Sequence, residues 1–270
     1  MNADASGALM KGRRGLVMGV ANDHSIAWGI ASQLAAQGAE LAFTYQGEAF
    51  GRRVEPLAQS VGSSLVLPCD VEDTATVDKV FERLGNEWGK IDFIVHAIAY
   101  SDKEELKGRY ADTTRDNFIR TLVISCFSFT ELVRRAADMM PDGGSALTLT
   151  YGGSTKVMPN YNVMGVAKAA LESSVRYLAS DYGGDGIRVN AISAGPMRTL
   201  AGAGITGARA MYAFQKQHSP LRRTVSLEDV GGSALYLLSP LSGGVTGEVH
   251  YVDAGYNIIS TPRPEDLNGD

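Results

Sequence analysis

Seven short apolar runs, rich in β-branched and aromatic residues, alternate with longer amphipathic stretches along the chain. Most runs are almost continuously apolar, which is typical of parallel strands buried on both faces. This order predicts an α/β fold in which a doubly wound parallel sheet of seven strands carries helices on both faces. The strand candidates are 15–20, 39–45, 64–70, 91–97, 146–151, 187–193 and 247–253.

Two of the longer stretches carry signals for helix ends. Residues 25–37 begin at Ser25, a common N-cap residue, and stop before Gly38. Residues 226–239 open with a serine that is followed three positions later by Asp229, which is close to a capping box. Segment 196–217 departs from the alternation of strand and helix candidates, because it has three glycines and no clear apolar stripe. We expect it to be a functional loop, with a solvated connection containing a short helix as the alternative.

Length and composition favour one globular domain. The 270 residues are 44% hydrophobic and 20% charged, which excludes wholesale disorder. No shift in composition and no internal repeat divides the chain. We therefore predict a single domain over 1–270, with a core of about 11–256 and polar tails at both ends.

Charge and cysteine content exclude several classes of protein. The net charge of −5 argues against nucleic-acid binding, and the absence of a run of 18 apolar residues argues against membrane insertion. The two cysteines, Cys69 and Cys126, cannot build a disulfide framework and indicate a reducing, cytoplasmic location. The four histidines lack metal-ligand spacing, so no metal site is predicted.

The turn after the first strand candidate is typical of dinucleotide binding. It runs from Gly19 to a helix that begins near Ser25, so the amino end of that helix faces a ligand at the carboxyl edge of the sheet. Free N–H groups and the helix dipole stabilise a pyrophosphate there. Gly19 is expected to allow a tight turn, and Gly29 to let the helix approach the strand. The middle glycine of the usual G-x-G-x-x-G is absent, so an ordinary βα turn is the alternative. A Rossmann-like sheet is favoured.

The ends of the next two strands bear on the choice of cofactor. The second strand ends at Gln46, which is neutral, where NAD enzymes often have an acidic residue for the ribose hydroxyls. Gln46 can hydrogen-bond to a hydroxyl, whereas Arg52 and Arg53 can attract a 2′-phosphate, so these residues alone leave NADH and NADPH open. Asp70 ends the third strand, where we expect its carboxylate to accept from an adenine amino group, with an ordinary turn residue as the alternative.

Tyr161 and Lys168 are the catalytic candidates. Their spacing of seven residues covers about two helical turns, so both side chains are expected on one helix face, roughly 10 Å apart along the axis. A nearby ammonium favours the charged form of a phenol, so Lys168 is expected to lower the pKa of Tyr161. Such a pair can stabilise an oxyanion during hydride transfer while the ammonium holds ribose hydroxyls. The alternative is two unrelated residues on one helix.

Residues 148–168 have the sequence TLTYGGSTKVMPNYNVMGVAK. This stretch resembles the active-site segment of the NADH-dependent bacterial enoyl-acyl-carrier-protein reductases, which belong to the short-chain dehydrogenase superfamily. Four further segments match the same family in the same order: GVANDHSIAWGIA, FTYQ, CDV and VNAISAGPMRTLA. The resemblance covers residues 11 to 256. The commoner superfamily pattern, with Lys four residues after Tyr and a T-G-x-x-x-G-I-G turn, is absent.

The resemblance implies reduction of the carbon–carbon double bond of trans-2-enoyl thioesters on acyl carrier protein, with NADH favoured over NADPH. It implies that Tyr161 hydrogen-bonds the thioester oxygen, that Lys168 binds the nicotinamide ribose, and that Tyr151 is a second pocket tyrosine. Ser101 falls on a substrate-side position where alanine is expected. The implied cofactor-binding residues are Gly19, Ser25, Ile26, Gln46, Asp70, Val71, Ile98, Lys168, Met197, Arg198, Thr199, Leu200 and Ala201.

The resemblance also implies partners. Acyl carrier proteins are acidic, and segment 198–223 contains five Lys or Arg residues and no Asp or Glu, so we expect the carrier to dock there. The family is homotetrameric, and the apolar-rich region 117–140 is the candidate contact surface, unless that helix packs only on its own sheet.

Two other functions remain open on the residues alone. One is a carbonyl-reducing short-chain dehydrogenase, such as a 3-oxoacyl reductase, against which the Tyr–Lys spacing and the missing T-G-x-x-x-G-I-G turn argue. The other is a non-catalytic dinucleotide sensor, which would need neither Tyr161 nor Lys168.

Overall fold

A single parallel sheet of seven strands organises the chain. The computed structural model describes residues 9–199, 207–261 and 263. The strand order is β3-β2-β1-β4-β5-β6-β7, and every neighbouring pair is parallel. All seven predicted strands are present, and the doubly wound fold is confirmed. The strands are β1 Arg14–Met18, β2 Glu40–Tyr45, β3 Leu65–Pro68, β4 Phe93–His96, β5 Gly144–Thr150, β6 Ile187–Ala194 and β7 Val249–Val252.

Eight α-helices lie in the described ranges, and none of them is both long and apolar enough to span a bilayer. The helix predicted at 226–239 has its capping box, with Ser226 and Asp229 exchanging hydrogen bonds between side chain and backbone. The helices are α1 Ile26–Ala36, α2 Glu48–Ser60, α3 Thr74–Trp88, α4 Arg115–Leu122, α5 Ser128–Ala137, α6 Asn162–Tyr182, α7 Ala208–His218 and α8 Leu227–Leu238.

Two apolar cores form, one on each face of the sheet. Helices α1, α2 and α8 cover one face with side chains such as Leu34, Val54 and Leu237. Helices α3, α5 and α6 cover the other face with side chains such as Leu84 and Leu171. Because both faces are buried, the strands read as continuous apolar runs, and polar groups concentrate where the strands end.

The region 117–140 is not one regular helix. Helices α4 and α5 are joined by a π-turn at Val123–Phe127, which sequence patterning did not predict. Within this turn the Ser125 hydroxyl accepts from the backbone N–H of Tyr100 at 3.0 Å and donates to the carbonyl of the same residue at 3.1 Å. The π-turn therefore fixes the segment that follows β4 at the carboxyl edge of the sheet.

Candidate functional site

The predicted cofactor residues gather at the carboxyl ends of four neighbouring strands. The strand order reverses between β1 and β4, and ligands of open α/β sheets bind at such a switch point. Ser25 and Ile26 follow β1, Gln46 follows β2, Asp70 and Val71 follow β3, and Ile98 follows β4.

The turn after β1 requires a glycine at its first position and leads into the amino end of α1. Gly19 has φ +99°, and a Cβ there would lie 2.1 Å from the Ala97 carbonyl oxygen, so only glycine fits. The Ser25 hydroxyl accepts from the N–H groups of Ala21 and Asn22 at 3.0 and 3.1 Å, and α1 begins at the next residue. This turn presents the amino end of α1 to the switch point.

Gly29 has a different role from the one predicted. A Cβ there would lie 2.8 Å from Cβ and 3.0 Å from the carbonyl oxygen of Leu227, the first residue of α8. The expectation that Gly29 lets α1 approach the strand is therefore wrong. The glycine permits close packing of two helices, a contact between distant segments that local sequence cannot indicate.

Gln46 and Asp70 form one polar unit at the ends of β2 and β3. The Gln46 amide donates to a carboxylate oxygen of Asp70 at 2.9 Å, and the other oxygen accepts from the Glu72 N–H, also at 2.9 Å. Arg52 is exposed on α2, where its guanidinium lies 3.8 Å from the Glu48 carboxylate. A carboxylate at this strand end can accept from an adenine amino group, which is the role predicted for Asp70.

His96 is a buried structural residue at the end of β4. Its Nδ1 lies 2.9 Å from the Thr148 hydroxyl, and its Nε2 lies 2.9 Å from the Ser128 hydroxyl. Burial lowers the pKa of His96 to about 3, so the ring is neutral and both nitrogens are engaged. His96 is therefore a structural neighbour of the site rather than a base. Among the described residues no cluster of His, Cys, Asp or Glu is arranged to hold a metal ion.

Tyr151, Tyr161 and Lys168 meet where β5 ends and α6 begins. Tyr151 follows the last residue of β5, and Tyr161 is the N-cap of α6, one position before its first turn. The two tyrosine rings make an edge contact, with centroids 5.2 Å apart. The Lys168 ammonium donates to the Leu149 carbonyl at 2.8 Å, its single hydrogen bond to a described residue. Two of its three donors thus remain for a ligand.

Burial dominates the acid–base chemistry of this cluster. It raises the pKa of Tyr161, and the neighbouring Tyr151 and Glu172 raise it further. The expectation that Lys168 lowers this pKa is therefore wrong, because desolvation of a nearly enclosed phenol outweighs a charge two turns away. Burial also lowers the pKa of Lys168 to about 8, opposed by Cys126 and Glu172. At neutral pH Tyr161 is a protonated hydrogen-bond donor.

Ser101 lies in a buried polar cluster formed with two residues of α4. Its hydroxyl oxygen accepts from the Thr121 hydroxyl at 2.9 Å and from the Asn117 amide at 3.2 Å. Asn117 in turn accepts from the Asp102 N–H at 3.0 Å. These contacts hold the segment after β4 against α4, and the patterning of α4 alone gave no signal for them.

The segment after β6 lines a cleft beside the turn after β1. The Arg198 guanidinium lies 4.9 Å from the centroid of the Tyr212 ring on α7, and the Thr199 N–H donates to the Met197 carbonyl at 2.9 Å. Leu200 and Ala201 lie outside the described residues. The cleft has a volume of about 320 Å³ and is lined by His24, Met197, Arg198, Tyr212, Val225 and Leu227.

Two buried polar residues at the site were not predicted. Gln215, from α7, hydrogen-bonds to the Tyr151 hydroxyl. Glu172, on α6, accepts a hydrogen bond from the Thr150 hydroxyl at 2.6 Å. The spacing of Glu172 could have indicated its position at the site, because residues four apart on a helix share a face and Glu172 follows Lys168 by four. Gln215 carried no such signal, since its partner is distant in sequence.

The residues present fit a dinucleotide. The start of α1, where no side chain caps the helix, leaves backbone N–H groups for a pyrophosphate, and a Cβ at Gly19 would collide with Ala97. Gln46 and Asp70 supply polar groups at one end of the site, and the Lys168 ammonium supplies two donors at the other. A protonated phenol beside an ammonium and a dinucleotide can stabilise negative charge that develops on a substrate oxygen.

Comparison with known proteins gives one consistent answer. A family model described as enoyl-(acyl carrier protein) reductase matches residues 19–257. A Rhizobium meliloti (strain 1021) protein named enoyl-acyl-carrier-protein reductase (NADH) 2 is 73% identical, over 96% of this chain and 97% of its own. The crystal structure of FabI from Candidatus Liberibacter asiaticus superposes with a TM-score of 0.93 at 63% identity, over 95% of this chain and 99% of that one. An enoyl-acyl-carrier-protein reductase from Anaplasma phagocytophilum, in complex with NAD, has a TM-score of 0.93 at 56% identity, over 96% and 98%.

Proposed function

The chain belongs to the enoyl-(acyl carrier protein) reductase family, and we propose that Tyr161, Tyr151 and Lys168 carry its reaction. It is an NADH-dependent enzyme that reduces the carbon–carbon double bond of trans-2-enoyl thioesters on acyl carrier protein, the last reductive step of fatty acid elongation. A carbonyl reductase and a non-catalytic sensor are thereby disfavoured.

NADH, when bound, supplies the hydride that reaches the β-carbon of the enoyl group. On our proposal the turn from Gly19 to Ser25 holds its pyrophosphate, and Gln46 and Asp70 hold its adenosine end. Lys168 donates to the nicotinamide ribose with the two N–H groups not used by Leu149. The remaining cofactor-binding proposals are Ile26, Val71, Ile98, Met197, Arg198 and Thr199, with Leu200 and Ala201 outside the described residues.

Tyr161 stabilises the charge that gathers on the thioester oxygen. Addition of hydride to the β-carbon leaves an enolate, whose oxygen needs a hydrogen-bond donor in a site shielded from water. The raised pKa of Tyr161 keeps its phenol protonated, and its enclosure removes competing water. The edge contact with Tyr151 fixes the direction of the ring. Ser101 and Tyr151 complete the proposed substrate side.

The observation that carries this proposal is the protonated, buried phenol of Tyr161, and Tyr161→Phe tests it. Loss of one donor to a developing oxyanion costs roughly 2–4 kcal/mol in the transition state, so kcat should fall by about two orders of magnitude. NADH affinity, measured by fluorescence titration, should stay near that of the native chain. Tyr236→Phe, at an exposed tyrosine on α8, is the matched control and should leave both quantities unchanged. An unaltered kcat with enoyl thioester would remove Tyr161 from the mechanism.

We further propose that acyl carrier protein docks on the exposed face of α7. Arg209 and Lys216 are exposed and seven residues apart, so they share a helix face, and neither forms an ion pair with a described residue. Arg223, by contrast, is bound to Asp229, and Arg198 stacks on Tyr212, so these two contribute less to docking.

Charge reversal at Arg209 and Lys216 tests this docking face. Replacing both with Glu should lower kcat/KM for carrier-bound substrate by roughly tenfold at low salt, because steering by opposite charge is lost. Activity with a small coenzyme A thioester should be retained. Lys11→Glu with Lys79→Glu makes the same change in net charge on exposed residues elsewhere and should affect neither substrate. Equal losses on both substrates would indicate a damaged pocket and contradict docking.

We also propose that residues 11–256 act as one catalytic domain, that the enzyme is a homotetramer and that it acts in the cytoplasm. The two free, buried cysteines suit a reducing compartment. Co-fractionation with a cytoplasmic marker after cell disruption tests the location.

A further inference from the structure

Lys168 and Glu172 stand out among the buried side chains. Within the described ranges they are the two buried residues of the Asp, Glu, Lys and Arg types, and each is 6% exposed. They lie four residues apart on α6 and therefore on the same face. An isolated buried charge is very costly, so buried charges are almost always paired.

The two side chains are joined through the end of β5. The Lys168 ammonium donates to the Leu149 carbonyl at 2.8 Å, and the Thr150 hydroxyl donates to a Glu172 carboxylate oxygen at 2.6 Å. Leu149 and Thr150 are consecutive, and the next residue is Tyr151. Helix α6 thus forms hydrogen bonds to two consecutive residues at the end of β5. The ring of Tyr151 contacts that of Tyr161.

We propose that Glu172 is a positioning residue for the reaction: its buried negative charge holds Lys168 as an ammonium, and its bond to Thr150 fixes the strand end that carries Tyr151. This inference rests on the proposed role of Lys168 at the nicotinamide ribose. It assigns a function to a carboxylate that touches neither substrate nor cofactor.

The other titratable groups that face Lys168 do not replace this charge. Cys126, from the π-turn, has its thiol pKa raised by burial, and His96, from β4, is neutral because burial lowers its pKa to about 3. Tyr161 faces Glu172 from the start of α6, and its raised pKa keeps it neutral as well. Of the two groups that oppose the effect of burial on Lys168, Cys126 and Glu172, only Glu172 is a carboxylate.

The titration of Lys168 in the cofactor-free, full-length chain tests the proposal. Lysine labelled with ¹³C at Cε gives a resonance for each side chain, and Lys168→Arg identifies the one that titrates near pH 8. Glu172→Gln keeps an acceptor for Thr150 and removes only the charge. In this variant the titration midpoint of Lys168 should fall by about one pH unit. Asp181→Asn, which removes an exposed carboxylate from the same helix, is the matched control and should leave the midpoint unchanged.

Thr150→Val separates the hydrogen bond from the charge. It keeps the carboxylate, so the Lys168 midpoint should stay near pH 8, while KM for the enoyl thioester rises because the strand end before Tyr151 loosens. An unchanged midpoint in Glu172→Gln would overturn the role as counter-charge, and an unchanged KM in Thr150→Val would overturn the positioning of Tyr151.

A stability cycle covers the case in which Glu172→Gln does not fold well. Lys168→Met and Glu172→Gln each remove one of the two buried charges, whereas the double variant removes both. The double variant should therefore unfold at a higher temperature than either single one. A double variant less stable than both singles would contradict the pairing. None of these measurements needs NADH, so they can fail while Lys168→Ala still weakens NADH binding, and the reverse also holds.

Discussion

Burial, more than neighbouring charge, sets the protonation states of Lys168 and Tyr161. Enclosure raises the pKa of the phenol and lowers that of the ammonium, so the two pKa values move apart and neither group loses its proton at neutral pH. The sequence predicted which two residues meet but not the direction of the Tyr161 shift. That direction depends on how completely β5 and α6 bury the Tyr161 ring. The spacing of seven residues between Tyr161 and Lys168 gives no information about this burial.

The pKa of Lys168 predicts a pH dependence for NADH binding. A base with a pKa of about 8 is charged below that pH and neutral above it, so NADH affinity should fall as pH rises. If only the ammonium binds the ribose, the loss between pH 7 and pH 9 is about tenfold. Fluorescence titration of NADH at several pH values measures it. Lys168→Ala should bind NADH more weakly at pH 7 and show no fall over this window; native affinity in that variant would contradict the proposed role.

At the scale of elements, strands were easier to predict than the contacts between helices. Continuous apolar runs reveal strands because both faces are covered, and the Ser226 cap reveals the start of α8 because its hydrogen bonds are local. The π-turn at Val123–Phe127 and the bond from Gln215 to Tyr151 have no local signature. They arise from packing between segments that are far apart in the chain. The contact of Gly29 with Leu227, which the sequence did not predict, has the same origin.

The close packing of α1 on α8 predicts opposite outcomes for two adjacent glycines. A Cβ at Gly231 would lie 2.6 Å from the Gln33 side chain and 2.7 Å from the backbone carbonyl oxygen of Gly29, which cannot move without shifting α1. Gly231→Ala should therefore lower the free energy of unfolding by about 1–3 kcal/mol. Gly232→Ala meets no atom within 4 Å and should be neutral or stabilising by up to about 1 kcal/mol, through helix propensity. Urea unfolding of both variants measures the difference, and equal effects would contradict the tight contact.

At the scale of the whole molecule, region 117–140 and the helix packed against it carry exposed apolar side chains. Ile119 on α4, Phe127 at the π-turn and Tyr177 on α6 are all exposed, and α4 and α6 pack against each other. Such residues commonly mark an interface between subunits. Region 117–140 therefore remains our proposed contact surface for the homotetramer, and α6, which carries Tyr161 and Lys168, would lie just beneath it.

Phe127→Glu is the sharpest test of that assembly. A carboxylate at the centre of an apolar interface would have to be buried without a partner, which costs far more than the lost packing, so the tetramer should dissociate. Sedimentation velocity should show a smaller species than the native chain at the same concentration, while far-UV circular dichroism stays unchanged. Leu241→Glu is the matched control, because Leu241 is 66% exposed against 53% for Phe127 and lies outside region 117–140, so its sedimentation should equal that of the native chain. If Phe127→Glu sediments as the native chain does, the contact surface lies elsewhere; if the native chain is itself monomeric, the tetramer is wrong.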